Sequence, residues 1–214
     1  LDNQDYGIRI NATQAAKIDN QTTFSDAKLA VLLYGSTLEE SSETNWPDLN
    51  ASARYYVEDW IYINSYLSIS AGAMFGFAED KGIQVNSTGA FVADASGGEN
   101  ILFTSHNIPA ELYWKGIYIG SKDSRNTLNN VEVAYAGNTK WNFSGSDHAA
   151  AVALEDGKVS IENSTIKESK NHGLYLHNGG LIDLFSSNTF SNNQDQAIKL
   201  MGNEANSIDA ATTF

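Results

Sequence analysis

The sequence contains no cysteine among its 214 residues, which excludes disulfides, thiol catalysis and cysteine-ligated zinc. Proline is scarce, at two residues, and with only 17 glycines the composition argues against a disordered linker. Lys and Arg number 13 against 26 Asp and Glu, so the net charge is −13. Because few basic side chains are available to neutralise phosphate, we do not expect nucleic acid to be a partner of this chain. Apolar runs are also too short for a membrane span.

What the chain does contain is a repeated strand signal. Six tetrads share the form small, aliphatic, any residue, aliphatic: GIRI (7–10), GIQV (82–85), GIYI (116–119), AVAL (151–154), GLYL (173–176) and AIKL (197–200). Strict alternation predicts strands with one buried face. The last two intervals between tetrad starts are about 22–24 residues, which is typical of one coil of a parallel β-helix. The two longer intervals before them indicate coils with a larger loop.

Further strand-like runs lie between the tetrads and give two or three short strands per coil. Asparagines recur in the turns between them: Asn130, Asn163 and Asn188 follow the tetrads GIYI, AVAL and GLYL at similar distances. An asparagine side chain has both donors and an acceptor, so stacked copies can bond to one another and to turn backbone. We therefore interpret these three residues as structural turn asparagines.

One stretch departs from this pattern. AKLAVLLYG (27–35) fits a short helix or another strand, and ESSETNWP (40–47) resembles an acidic loop. The sequence thus predicts an insertion over residues 25–53, a loop or short helical excursion from the coil.

The two ends of the chain resemble each other. Residues 194–214 align without a gap to residues 4–24, at an offset of 190, with nine identities in 21 positions. Self-similarity at a fixed period is typical of repeat architectures. We interpret residues 1–214 as a single module, one period of about 190 residues plus the start of the next, from a longer tandem array. The alternative is that two rungs of one small domain look alike. A chain that begins at Leu1 is expected to be a mature product or an excised piece.

The segment YLSISAGAMFGFAEDKGIQVNSTGAFVADASGGENILFTS, with WKGIYIG and LNNVEVAYAG after it, resembles the parallel β-helix repeat proteins of bacterial cell surfaces, of the type common in Bacteroidetes. The resemblance covers about residues 55–205. It implies an all-β fold, a right-handed parallel β-helix (solenoid) similar to that of pectate lyases. Many such proteins are non-catalytic, whereas others are polysaccharide lyases or hydrolases, so the fold does not decide the activity.

No group of residues in the sequence demands catalysis. The middle positions of the tetrads carry no carboxylate, whereas a glycoside hydrolase needs clustered carboxylates on neighbouring coils. Enzymatic activity is left open, with a non-catalytic role favoured. Asp123, Asp147 and Asp156 lie in oxygen-rich loops and are candidates for a calcium site, although no calcium-binding spacing surrounds them. We expect no cofactor, with calcium as the one alternative.

Aromatic residues are the main candidates for ligand binding, because exposed rings stack on sugar faces. Trp141 lies in a long polar loop and is the first choice for a glycan contact, followed by Trp114 and Tyr113. Packing over the coil is the competing interpretation, and for Trp114 it is the favoured one.

Two functions follow. The leading hypothesis is a non-catalytic module of an extracellular or cell-surface adhesin or filament, whose partners are neighbouring copies stacked head to tail. The alternative is a carbohydrate-active module, a polysaccharide lyase or a glycan-binding domain, with polysaccharide as the partner.

Overall fold

A computed structural model describes residues 6–19, 21–24, 30–39, 43–49, 53–106, 113–142, 149–200 and 202–214. Three parallel sheets run along the molecule, and the chain visits them in turn, so each strand pairs with one on the next coil. This arrangement confirms the prediction of an all-β parallel β-helix. Within the described residues, no helix is long and apolar enough to cross a membrane.

The strands are short, and from β2 onward each sheet takes every third one. Sheet 1 contains β1 (Ile8–Ile10), β2 (Val31–Leu33), β5 (Tyr55–Val57), β8 (Met74–Phe77), β11 (Ile101–Ser105), β14 (Val131–Ala134), β17 (Thr165–Lys167) and β20 (Thr189–Ser191). Sheet 2 contains β3 (Ser36–Leu38), β6 (Ile61–Ile63), β9 (Gly82–Val85), β12 (Gly116–Ile119), β15 (Ala150–Glu155), β18 (His172–His177) and β21 (Ile198–Lys199). Sheet 3 contains β4 (Glu43–Trp46), β7 (Tyr66–Ile69), β10 (Ala90–Asp94), β13 (Thr127–Asn129), β16 (Lys158–Glu162) and β19 (Leu181–Ser186). The described residues also form two 3₁₀ helices, η1 (Ala12–Lys17) and η2 (Gly202–Ser207).

The core lies inside the coils, where equivalent apolar residues stack along the axis. Sheet 1 places the Tyr55 ring 4.9 Å from Phe75 and the Phe75 ring 5.2 Å from Phe103, both pairs stacked. This spacing follows from the register, because parallel strands lie about 4.8 Å apart. All three rings are fully buried.

Five of the six tetrads stack in sheet 2, as their spacing predicts, whereas GIRI lies in sheet 1 as β1. The structure also explains why the first tetrad position is small. A Cβ added to Gly82 would lie 2.4 Å from the carbonyl oxygen of Gly116, and one added to Gly116 would lie 2.4 Å from that of Ala151. The backbone of the next coil therefore occupies the space of a larger side chain.

Residues in the left-handed conformation form the corners between sheets 3 and 1. Asn130 has a φ of +54°, Asn163 of +50° and Ser187 of +56°. Asparagine tolerates this region better than most residues. Asn188 is not itself a corner residue but comes directly after the corner residue Ser187. It is buried, accepts a hydrogen bond from the Ser164 N–H at 3.0 Å and donates to the Ile161 carbonyl at 2.8 Å.

The predicted excursion over residues 25–53 is wrong for the part that the structure describes. Strands β2, β3 and β4 pair in parallel with β5, β6 and β7, so they form an ordinary coil. In β4 the side chains of Thr44 and Trp46 are buried while those of Glu43 and Asn45 are exposed. The sequence does not reveal this alternation, because most residues of the segment are polar and the buried positions are not marked by apolar side chains alone. Residues 25–29, 40–42 and 50–52 lie outside the described residues.

The two terminal copies have the same local structure. Helices η1 and η2 begin and end at positions that the alignment of the two chain ends makes equivalent. After each helix an aspartate accepts hydrogen bonds from the backbone N–H and the hydroxyl of a threonine three residues later, Asp19 with Thr22 and Asp209 with Thr212. These hydrogen bonds lower the pKa of both aspartates.

The strands that precede the two helices lie in different sheets. Strand β1 pairs with the following coil in sheet 1, whereas β21 pairs with the preceding coil in sheet 2. The helix and the turn thus recur as the same local structure at the two ends, whereas the strands that precede them lie in different sheets.

Candidate functional site

The outer face of sheet 2 carries a row of side chains set by the strand register. From one coil to the next the row runs Thr37, Tyr62, Gln84, Tyr118, Ala153, Tyr175 and Lys199. Two strand spacings separate Tyr62 from Tyr118 and Tyr118 from Tyr175, about 9.6 Å each. Aromatic residues thus recur at regular intervals along the row, and of these Tyr62 and Tyr118 are partly exposed whereas Tyr175 is buried.

Two tryptophans from outside the strands complete an aromatic cluster on this face. The Trp141 ring lies 5.5 Å from Tyr118 and meets the Trp60 ring edge to face at 6.0 Å. The Trp141 indole N–H donates to the Ala150 carbonyl at 3.3 Å. Small side chains at Ala150 and Ala153 leave room beneath the indole, and both pack against it.

An open cavity of about 280 Å³ lies over this cluster. It is lined by Trp60, Gln84, Lys115, Tyr118, Trp141 and Asn142. The Lys115 ammonium lies 5.2 Å from the centre of the Trp141 ring and 5.8 Å from that of Trp60. Burial lowers the pKa of Lys115, and burial raises the pKa of Tyr118 with further contributions from Glu155 and Asp156. The cavity thus combines aromatic surface, two amides and one partly desolvated cation.

This composition suits noncovalent binding. Rings pack against an apolar ligand face, the amides offer both donors and acceptors, and the ammonium donates to oxygen. Beside the cavity, the Tyr175 hydroxyl lies 2.9 Å from His177 Nδ1, and His177 Nε2 lies 4.0 Å from a Glu155 oxygen. Tyr175 is only 5% exposed, and the side chains of His177 and Glu155 are 20% and 19% exposed. These three groups are therefore mostly shielded from a ligand.

The three aromatic residues predicted from the sequence have different surroundings. Trp141 belongs to the cavity but is 4% exposed, so it forms the floor and supports Trp60 and Tyr118. Trp114 does not suit a glycan contact, because it is fully buried, stacks on Phe77 at 4.2 Å and donates its indole N–H to the Ala134 carbonyl at 2.8 Å.

Tyr113 is half-buried beside Tyr135, with the Lys170 ammonium 5.7 Å from its ring centre. It does not line the cavity.

Two of the three predicted calcium candidates, Asp123 and Asp156, lie among the described residues, and each pairs with a basic side chain. Asp123 forms two side-chain hydrogen bonds with Arg125, at 3.0 and 2.7 Å, which lower the pKa of its carboxyl. Asp156 pairs with the ammonium of Lys122. Asp147 lies outside the described residues. Among the described residues, no group of three or more His, Asp or Glu side chains is placed to hold a metal ion.

Sequence reasoning missed Trp60 and Lys115 as binding candidates. Trp60 and Tyr62 alternate with the buried Ile61 and Ile63, which marks both as outward-facing. That signal was available in the sequence. The approach of Lys115 to Trp141 was not, because it depends on where Trp141 lies relative to the coil that carries Lys115 and Tyr118.

No protein-family model, no curated protein and no solved structure matches this chain.

Proposed function

We propose that this chain is a non-catalytic module of an extracellular tandem array, in which successive copies continue one solenoid as the shaft of a surface adhesin or filament. The observation that carries the proposal is the recurrence of the same helix and aspartate–threonine turn at both ends, at equivalent positions of the sequence repeat. Nine identities between the two ends produce the same local structure twice in one molecule.

The physics of solenoids supports a continued array. Each coil contacts only its neighbours, so stability grows as coils are added and terminal coils are the weakest. Within the part of the chain that the structure describes, β1 pairs only with β2 and β21 only with β18. An unpaired edge has backbone groups that another strand can satisfy. A further copy would supply such strands.

The proposal is tested by comparing one unit with two. In the two-unit protein, residue 214 is followed directly by residues 25–214 of a second copy, which keeps the period of the sequence repeat. If the second unit continues the solenoid, the midpoint of thermal unfolding should rise by about 5 °C or more. A junction that stabilises the folded state by a few kcal/mol raises the midpoint of a domain of this size by about that amount. Calorimetry should show one cooperative transition. Equal midpoints for the one-unit and two-unit proteins would contradict the proposal.

The cavity over sheet 2 favours a second candidate function, glycan binding. Its Trp60 and Tyr118 rings are partly exposed, and the amides and Lys115 surround them. Rings spaced by two strands, about 9.6 Å, suit an extended chain of sugars that lies along the solenoid axis. The Lys115 ammonium favours a glycan that carries carboxylates.

Isothermal titration calorimetry with uronate and neutral oligosaccharides tests this candidate. We expect the uronate to bind more tightly, Trp60→Ala to weaken binding at least about tenfold, and Lys115→Met to remove the preference for the acidic glycan. Tyr34→Ala is the matched control, because Tyr34 is an exposed aromatic residue that does not line the cavity. If Tyr34→Ala weakens binding as much as Trp60→Ala does, the cavity is not the site.

A further inference from the structure

The two 3₁₀ helices bury different faces, although they are copies of one sequence element. Helix η1 packs against β3 and β4, which are the coil that follows it. Helix η2 packs against β19, which belongs to the coil before it. Among the described residues, each copy therefore packs mainly against one coil, which follows η1 but precedes η2.

The buried residues of η1 define its covered face. Ala12 and Ala15 are both fully buried, and the Trp46 indole N–H donates to the Ala12 carbonyl at 3.1 Å. Residues three apart lie on the same face of a 3₁₀ helix. This face of η1 thus meets the next coil through two small side chains and one backbone acceptor.

The same face of η2 is open. Its equivalent residues are Gly202 and Ala205, and both are exposed. A Cβ added to Gly202 would meet nothing within 4 Å. The face of η2 that is buried includes Glu204, which is 8% exposed, whereas its counterpart Gln14 in η1 is only half-buried. One copy therefore covers the face that the other exposes.

Phe214 gives an independent indication at the same end. Its counterpart Phe24 is half-buried and packs against the core, but Phe214 is 72% exposed. A large apolar ring is thus exposed near the end of the chain, as the small-residue face of η2 is, whereas the equivalent residues of the first copy are buried or half-buried.

We infer that η1 and η2 are the two halves of one junction, and that the exposed face of η2, formed by Gly202 and Ala205, is together with Phe214 the docking surface for the β3–β4 coil of a second copy. In the complete junction, a single helix lies between β19 of one unit and β3 and β4 of the next. The Trp46 indole of the incoming unit donates to the backbone carbonyl of residue 202. This inference rests on the proposed tandem function and names the surface through which it operates.

The test places a lysine on the docking face. In the two-unit protein defined above, Ala205→Lys at the internal helix should remove the whole gain in unfolding midpoint, because the face is covered there. In the one-unit protein the same change should leave the midpoint unchanged, because Ala205 is exposed. Ala15→Lys in the one-unit protein measures how far the unfolding midpoint falls when a lysine is placed on the equivalent face of η1, which is already covered.

Asn206→Lys is the matched control, since position 206 and its counterpart Ala16 are exposed in both copies. It should leave both proteins unchanged. If Ala205→Lys keeps the two-unit gain, or Asn206→Lys removes it, the docking surface is assigned wrongly while the tandem proposal stands. If the unsubstituted two-unit protein shows no gain, the tandem proposal itself fails, and this inference fails with it.

Discussion

Replacing Trp114 by alanine should destabilise the protein by about 3–5 kcal/mol, the usual cost of removing a buried tryptophan. The side chain is fully buried and stacks on Phe77 at 4.2 Å. Its loss leaves a cavity between coils and deprives the Ala134 carbonyl of the indole N–H that bonds to it at 2.8 Å. Urea unfolding followed by circular dichroism measures the difference.

Trp60→Ala is the control for this prediction, because it removes the same residue type from the outside of the coil. Trp60 is half-buried and stacks on Tyr62 at 5.9 Å, so its removal should cost only about 1 kcal/mol. Equal losses for the two variants would mean that Trp114 does not pack in the core as described, and that its assignment as a glycan ligand should be reconsidered.

Gly116→Ala should also cost about 3 kcal/mol or more, because two penalties combine. Gly116 has a φ of +117°, a conformation that disfavours any side chain. The added Cβ would lie 2.4 Å from the Ala151 carbonyl oxygen and 2.8 Å from that of Ala150, and both are backbone atoms of the next coil. The coils must therefore separate locally. The change in the free energy of unfolding is again measured in urea.

Gly97→Ala is the matched control, since a Cβ at Gly97 meets nothing within 4 Å. It should be neutral or stabilise the protein by about 0.4–1 kcal/mol, through the unfolded state. A Gly116→Ala variant as stable as Gly97→Ala would show that coil-to-coil backbone contact does not restrict the first tetrad position.

The tetrads could be predicted from the sequence because their pattern has a strong physical cause. Alternation fixes which side chains face the interior, and contact between backbones of successive coils requires a small first residue, as at Gly82 and Gly116. Both requirements act on the same four consecutive residues, so together they leave a recognisable pattern in the sequence. The GIRI tetrad has that signature too, but its sheet depends on which neighbouring coil is available to pair with it.

Strand β4 and the cavity could not be predicted in the same way. Thr44 and Trp46 are the buried members of a strand whose other residues are polar, so hydrophobic periodicity is weak there. In the cavity, Trp60, Lys115 and Trp141 come from three different coils, and no local pattern records their meeting. Such a site follows from the register and the path of the loops, which the sequence does not state directly.

An experimental structure of the two-unit protein shows whether the terminal copies are one junction seen from its two sides. We expect the internal helix at residues 202–207 to lie between two coils, with residues 205 and 214 buried and the second unit's Trp46 indole N–H donating to the carbonyl of residue 202. Two separate β-helices joined by an extended segment, with Ala205 and Phe214 still exposed, would contradict it.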